Sequence, residues 1–194
     1  MNKIGIDAYF DRLHAAVDAV DRASVDRFVD LLFDAYEHER TVFIVGNGGS
    51  AANASHFCQD LSKGTSMHQS HVRRLRALSL VDNGSWLTAL GNDEGYEAVF
   101  VQQLLTFATP GDLLVIISGS GNSPNVLRAA EWARSHGVAV VAMSGFDGGQ
   151  LHALADHIVH VPKADMGIVE SVHLAVFHYV IESLARRLAR HAGA

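Results

Sequence analysis

Apolar residues recur at helical spacing over the first forty positions: Phe10, Leu13, Val17 and Val20, then Val25, Phe28, Val29, Leu32, Phe33 and Tyr36. This rhythm predicts two amphipathic helices joined near Asp21 to Ser24. Beyond them the pattern changes to short, unbroken apolar runs at about 41–45, 76–81, 112–117, 138–142 and 157–161. Helical patterns fall between the runs at about 49–62, 95–108 and 122–136, and a long helix is expected from about 167 to 190. Continuous rather than alternating apolar runs mark parallel strands covered on both faces. The chain is therefore expected to be α/β, with a five-stranded parallel sheet. No low-complexity tract or linker divides it, which predicts one domain over 1–194: a helix pair at 1–40, set aside for contacts between subunits, and an α/β core at 41–194.

Two glycine- and serine-rich turns each follow a strand pattern and precede a helical one. The first is Gly46-Asn47-Gly48-Gly49-Ser50 and the second Ser118-Gly119-Ser120-Gly121-Asn122-Ser123. Such turns let the backbone approach a ligand while the following helix presents unpaired N–H groups and its positive dipole end, so phosphate is the expected guest. A dinucleotide fold would need an acidic residue at the end of a second strand, about 20 residues on, and none stands there. A P-loop would need Gly-Lys-Ser/Thr before a helix, whereas Lys63-Gly64-Thr65 has the wrong order and follows one.

Composition narrows the class further. The 194 residues are 48% hydrophobic, enough for one sizeable core. No run approaches the roughly 18 uninterrupted apolar residues of a membrane span, and the first residues lack a signal peptide's apolar segment. With a single cysteine, Cys58, there is no internal disulfide framework, and a reducing, cytoplasmic setting is expected. A formal charge of −6 argues against a broad nucleic-acid footprint. Arg73, Arg74 and Arg76 read as a solvated lead-in to a strand or the rim of an anionic substrate site.

Candidate chemistry lies on two helices. His56 and Asp60 are four residues apart on one helical face, a spacing that suits shared metal ligation or an acid/base pair, and equally a plain surface contact. The last helix carries Glu170, His173 and His178 among apolar residues, where polar groups need partners. His173 and His178 differ by about 140° around the helix and should not share a site; Glu170 and His178 differ by about 80° and about 12 Å of rise. His14, His38, His136, His152 and His191 have no companion ligands in sequence and read as solvated, Trp86 and Trp132 as packing residues, and Cys58 as a small core residue. The polar stretch from Ser62 to Arg74, with His68 and His71, reads as a lid loop.

Taken in order, Gly46 to Ala51 with His56-Phe57, Gly91-Asn92-Asp93, Ser118 to Ser123, Gly145 to Gly149 and the Glu/His-bearing last helix resemble the sugar isomerase (SIS) domain, and within it the phosphoheptose isomerases. The resemblance covers nearly the whole chain. It implies a flavodoxin-like three-layer sandwich with extra N-terminal helices, assembled as a homotetramer with active sites at subunit interfaces. Its implied reaction is aldose–ketose isomerisation of a phosphorylated sugar, sedoheptulose 7-phosphate to D-glycero-D-manno-heptose 7-phosphate, through an enediol.

Carried over residue by residue, the resemblance implies that Ser50, Ser118, Ser120 and Ser123, with Gly119 in the same turn, hold the phosphate. Asn47, Gly48 and Asp93 would line the sugar site, and His56, Asp60, Glu170 and His178 would supply the metal or acid/base group. Zinc is the implied ion, with other divalent metals open because mixed His/carboxylate ligation suits several. Asp60, alone or shared with Glu170, is expected as the base and His178 as the acid. Four positions depart from the family pattern: Asp60 stands for glutamate, Glu170 for glutamine, Gly119 for threonine and Gly64 for arginine. An adaptor that binds the replication initiator, or a sugar-phosphate sensor, is the alternative reading; the adaptor lacks the acid and histidine corresponding to Asp60 and His178.

Overall fold

The computed structural model describes residues 5–67 and 73–193. Strands β1 (Thr41–Gly46), β2 (Arg76–Ser79), β3 (Leu113–Ser118), β4 (Ala139–Ser144) and β5 (His157–His160) form one parallel sheet in the order β2-β1-β3-β4-β5. This is the flavodoxin-like order, whose strand sequence reverses between β1 and β3, and ligands of such sheets bind beyond the strand ends at that reversal. Both glycine-rich turns lie there.

The strands alternate their side chains between two cores, as the two-residue period of extended chain requires. Val42, Ile44, Leu113, Val115, Ile117, Val141 and Met143 enter one core. Phe43, Val45, Leu114, Ile116, Val140 and Ala142 enter the other. On the first face lie α1 (Ile6–Asp18), α2 (Arg22–Glu37), α3 (Gly49–Ser62) and α8 (Met166–His191). The second is covered by α4 (Gly84–Asp93), α5 (Val101–Phe107), α6 (Pro124–Ser135) and α7 (Leu151–Leu154).

Helix α8 is long and apolar enough to cross a membrane, but its apolar side is given to this core, where Ile168, Val169, Val172, Phe177, Val180, Leu184 and Leu188 are buried. Its N-terminus is capped by Asp165, which accepts from the Ile168 N–H and receives Arg12 of α1 at 2.9 Å. Phe57 of α3 and Phe177 of α8 pack at 5.2 Å between ring centroids, with Phe28 of α2 against Phe57 at 5.9 Å. Burying each of these rings contributes roughly 1.5–3 kcal/mol. The same contact fixes α8 against α3, and with it the relative positions of His178 and His56.

Helix α3 spans the expected residues. The remaining expectations differ in detail. A separate helix, α4, precedes the expected helix at 95–108, which is itself divided into a 3₁₀ turn at Tyr96–Ala98 and the shorter α5. No residue of α4 is fully buried, and Leu87 and Leu90, half-buried against the second core, make too short an apolar stripe to announce a helix. Its start is instead set by Asn83, whose side chain accepts from the Trp86 N–H at 3.1 Å. Part of the expected lid is packed: Gly64–Ser66 forms a 3₁₀ turn with Thr65 and Ser66 buried. His68 and His71 lie outside the described residues.

Candidate active site

A cleft of about 220 Å³ opens where β1 and β3 end. Its walls are Asn47, Gly48, Gly49 and Ser50 of the first turn, Ser118, Gly119, Ser120 and Ser123 of the second, and Ile117, Met166 and Glu170. Every residue expected to hold phosphate is thus in one place. Of the residues expected to line the sugar site, Asn47 and Gly48 are in the same cleft, whereas Asp93 ends α4, exposed, and accepts a bond from the neighbouring Asn92 side chain.

Local chemistry leaves donors free in this cleft. Gly48 caps α3 at φ 55°, a conformation costly for any residue with a Cβ, and has no side chain to occupy the first N–H groups of the helix. In the second turn the Ser118 hydroxyl accepts from the Gly121 N–H at 3.2 Å, and that of Ser120 from the Asn122 N–H at 3.3 Å. Each hydroxyl keeps its own proton to donate. Ser123 stands at the N-cap of α6 but makes no capping bond, so its hydroxyl is uncommitted too. The Gly145–Gly149 turn supports this loop from behind: Gly145 N–H donates to Gly119 O at 2.9 Å, and Leu151 N–H to Gly121 O at 3.0 Å.

His56, Asp60 and His178 form a second group. His56 Nε2 is 3.2 Å and His178 Nε2 3.9 Å from Asp60 Oδ2, and one ligand-type atom from each residue lies within 4.8 Å of the others. The imidazoles are half exposed and meet edge to face at 5.1 Å, with His56 edge to face on Phe177 at 5.3 Å. Two nitrogens and a carboxylate oxygen at this spacing could hold a metal ion. Glu170, expected with them, stands elsewhere: its carboxylate lies over Gly49, where an added Cβ would come within 2.3 Å of Oε2. This follows from the separation of eight positions between Glu170 and His178, about two turns of helix.

His173 is separate from His178, as the helical angle requires. It is fully buried, donates from Nε2 to the Ser144 carbonyl at 3.1 Å, and leaves Nδ1 without a partner. Burial pushes it down from the usual 6.5 to about 4, with the Ser144 bond acting the other way. The solvated reading of His152 is overturned. Its Nε2 lies 2.7 Å from Ser144 Oγ, which also lies 3.0 Å from His160 Nδ1, and the two rings meet edge to face at 4.8 Å. Burial, then the neighbouring His152, pushes His160 down from its ordinary value. The Cys58 thiol is pushed up to about 11 by burial, which keeps it protonated and unreactive.

Sequence reasoning missed Asn125, which is buried at the start of α6 and pairs with Asn47. Its spacing carries no signal, because an asparagine after Ser-Pro reads as ordinary helix-start chemistry. Met166 was missed as well. Its Sδ fills the space over Gly119, 2.4 Å from where a Cβ would stand, so the side chain absent at 119 is replaced by one from α8.

A parallel sheet of this order with serine-lined turns at its reversal defines a flavodoxin-like domain with a ligand cleft at its strand ends, and residues 8–145 match the family model described as the SIS domain. The chain belongs to the SIS domain family. A phosphoheptose isomerase from Mycobacterium tuberculosis is 44% identical over 160 residues, covering 82% of this chain and 80% of that protein. The enzyme of that name from Helicobacter pylori is 38% identical over 161 residues, covering 83% and 82%. Among solved structures, the phosphoheptose isomerase from Neisseria gonorrhoeae superposes with a TM-score of 0.84 at 30% identity, covering 92% of this chain and 96% of that one.

Proposed function

We propose that the chain isomerises sedoheptulose 7-phosphate to D-glycero-D-manno-heptose 7-phosphate. The observation that carries this reading is the placement of an anion cleft and a His/Asp group along the same α3–α8 seam, about 9 Å of helix rise apart between Ser50 and His56. The names and coverage of the relatives support the substrate class.

In this reading the hydroxyls of Ser50, Ser118, Ser120 and Ser123 and the free amides at the start of α3 hold the phosphate. Asn47 and Gly48 bind the sugar. A carboxylate, Asp60 or Glu170, removes a proton from C1 of the ketose, and the electrons of that C–H bond form the C1–C2 double bond of the enediol. His178 donates to the carbonyl oxygen at C2 and later accepts the O1 proton. The carboxylate returns its proton to C2, which yields the aldose. The two roles of His178 are alternatives: where it does not serve as the acid, His56, Asp60 and His178 would hold a divalent ion, zinc by preference, whose chemistry when bound is Lewis-acid polarisation of the substrate oxygens. Glu170 then remains the carboxylate free for proton transfer.

The reading includes a cytoplasmic homotetramer with sites at subunit interfaces. Asp93, exposed at the end of α4, would complete the sugar site in that assembly, and the N-terminal helix pair serves its subunit contacts. The test is turnover by the purified protein before and after chelator treatment, with Asp60→Asn and His178→Ala beside it. Product from the wild type, lost in both variants and reduced by chelator, is expected. No turnover at any metal loading would contradict the reading and favour a sensor or adaptor.

A further inference from the structure

Asn47 lies in the cleft wall, and its side chain is held by two residues remote in sequence. Its Nδ2 donates to Asn125 Oδ1 at 2.8 Å, while Asn125 Nδ2 donates back to Asn47 Oδ1 at 2.9 Å. Tyr96 OH also donates to Asn47 Oδ1 at 2.9 Å. The orientation of the pair is not arbitrary. Val126 N–H, which can only donate, points to Asn125 Oδ1 at 3.0 Å, and so identifies that atom as oxygen. Oxygen there requires nitrogen opposite it on Asn47, and the Tyr96 proton then goes to the remaining Asn47 oxygen. With Oδ1 accepting two bonds and one Nδ2 proton used, amide planarity directs the second Nδ2 proton of Asn47 away from the pair.

We infer that Asn125 is a positioning residue for substrate recognition: it fixes the amide of Asn47 so that one N–H is presented to an oxygen of the bound sugar phosphate. Asn125 itself is 1% exposed and touches no substrate. It acts through Asn47, across the gap between the loop after β1 and the loop before α6, and so also sets the distance between the two halves of the cleft. The inference rests on the isomerase reading.

A double-mutant cycle tests it. Asn125→Leu removes both amide bonds at nearly constant volume, and Asn47→Ala removes the group they position. We expect Asn125→Leu to lower kcat/KM about tenfold and Asn47→Ala by at least as much, the loss expected for a hydrogen bond misplaced in the transition state. The double variant should match Asn47→Ala within about twofold, because a residue that acts only through another has nothing left to act on. Losses that multiply, or unchanged activity in Asn125→Leu, would overturn the inference. Asn125→Asp supplies a second check that keeps the backbone bond: it retains an acceptor for Val126 N–H but faces Asn47 Oδ1 with oxygen, and should resemble Asn125→Leu. Calorimetric binding of sedoheptulose 7-phosphate runs the same cycle without turnover. A wild type that binds but does not turn over contradicts the isomerase reading alone, and the cycle in affinity then still decides the role of Asn125. A wild type that does not bind overturns both.

Discussion

His173 and His178 sit five residues apart on one helix and have opposite surroundings. His173 is enclosed, with one ring nitrogen spent on Ser144 O and the other without a hydrogen-bond partner. His178 is half exposed beside Asp60 and His56. The first is held neutral by burial and ties α8 to the end of β4; the second has solvent, a carboxylate and a second imidazole within reach. Residue type did not decide which histidine is available for chemistry. A rotation of about 140° along α8 did.

Substitutions at the two positions should therefore separate activity from stability. His178→Ala and Asp60→Asn are expected to lower kcat/KM by about 10² to 10⁴-fold, the range of a lost general acid or base, while leaving the melting temperature nearly unchanged. His173→Ala should do the reverse. It removes a buried bond and leaves a cavity, while Ser144 O keeps its bond from Val161 N–H, for a loss of about 2–4 kcal/mol in chemical denaturation, with kcat of the folded fraction within a few-fold of wild type. Equal activity losses at both positions would break the distinction.

Acid sharpens it. Because the folded pKa of His173 is depressed below its unfolded value of about 6.5, its neutral form stabilises the fold fully above that pH. That stability is lost as pH falls from about 6.5 toward about 4, and the depressed His160 acts in the same direction. The contribution of His173 is on the order of 3 kcal/mol over this window. His173→Gln keeps an N–H donor for Ser144 O without a titrating ring, and should flatten the acid limb of stability measured by urea unfolding at stepped pH. An unchanged limb would show that other groups set it.

A smaller effect belongs to Ser144→Ala, which removes the hydroxyl shared by His152 and His160. We expect a loss of about 1–2 kcal/mol with activity largely retained. Metal content separates the two carboxylates of the candidate site. Asp60→Ala should lose bound divalent ion in elemental analysis, and Glu170→Ala should keep it, since Glu170 stands over Gly49 and outside the His/Asp group. Parallel loss in both would place Glu170 among the ligands.

What could be read from the sequence was whatever depends on neighbours along the chain. Unbroken apolar runs such as Leu113 to Ile117 announce buried parallel strands, and glycine-serine turns after β1 and β3 announce the cleft they line. His56 and Asp60 share a face because they are one turn apart. Groups assembled across the sheet gave no such sign. Ser144 meets His160 because β4 and β5 pair in a register that sets those residues side by side, and His152 joins them from α7. Asn47 meets Asn125 only because β1 and β3 are adjacent. Helix α4 went unread for a different reason: it only half-buries Leu87 and Leu90 against the second core, too little for the hydrophobic effect to write a period into it.

The most direct test of the isomerase account is to run sedoheptulose 7-phosphate to equilibrium in deuterated water with metal-loaded protein and examine the aldose by proton magnetic resonance. Proton transfer through an enediol predicts aldose carrying deuterium at C2, absent when Asp60→Asn or His178→Ala replaces the wild type. Absence of aldose, or aldose with no deuterium at C2 after equilibration, would contradict it.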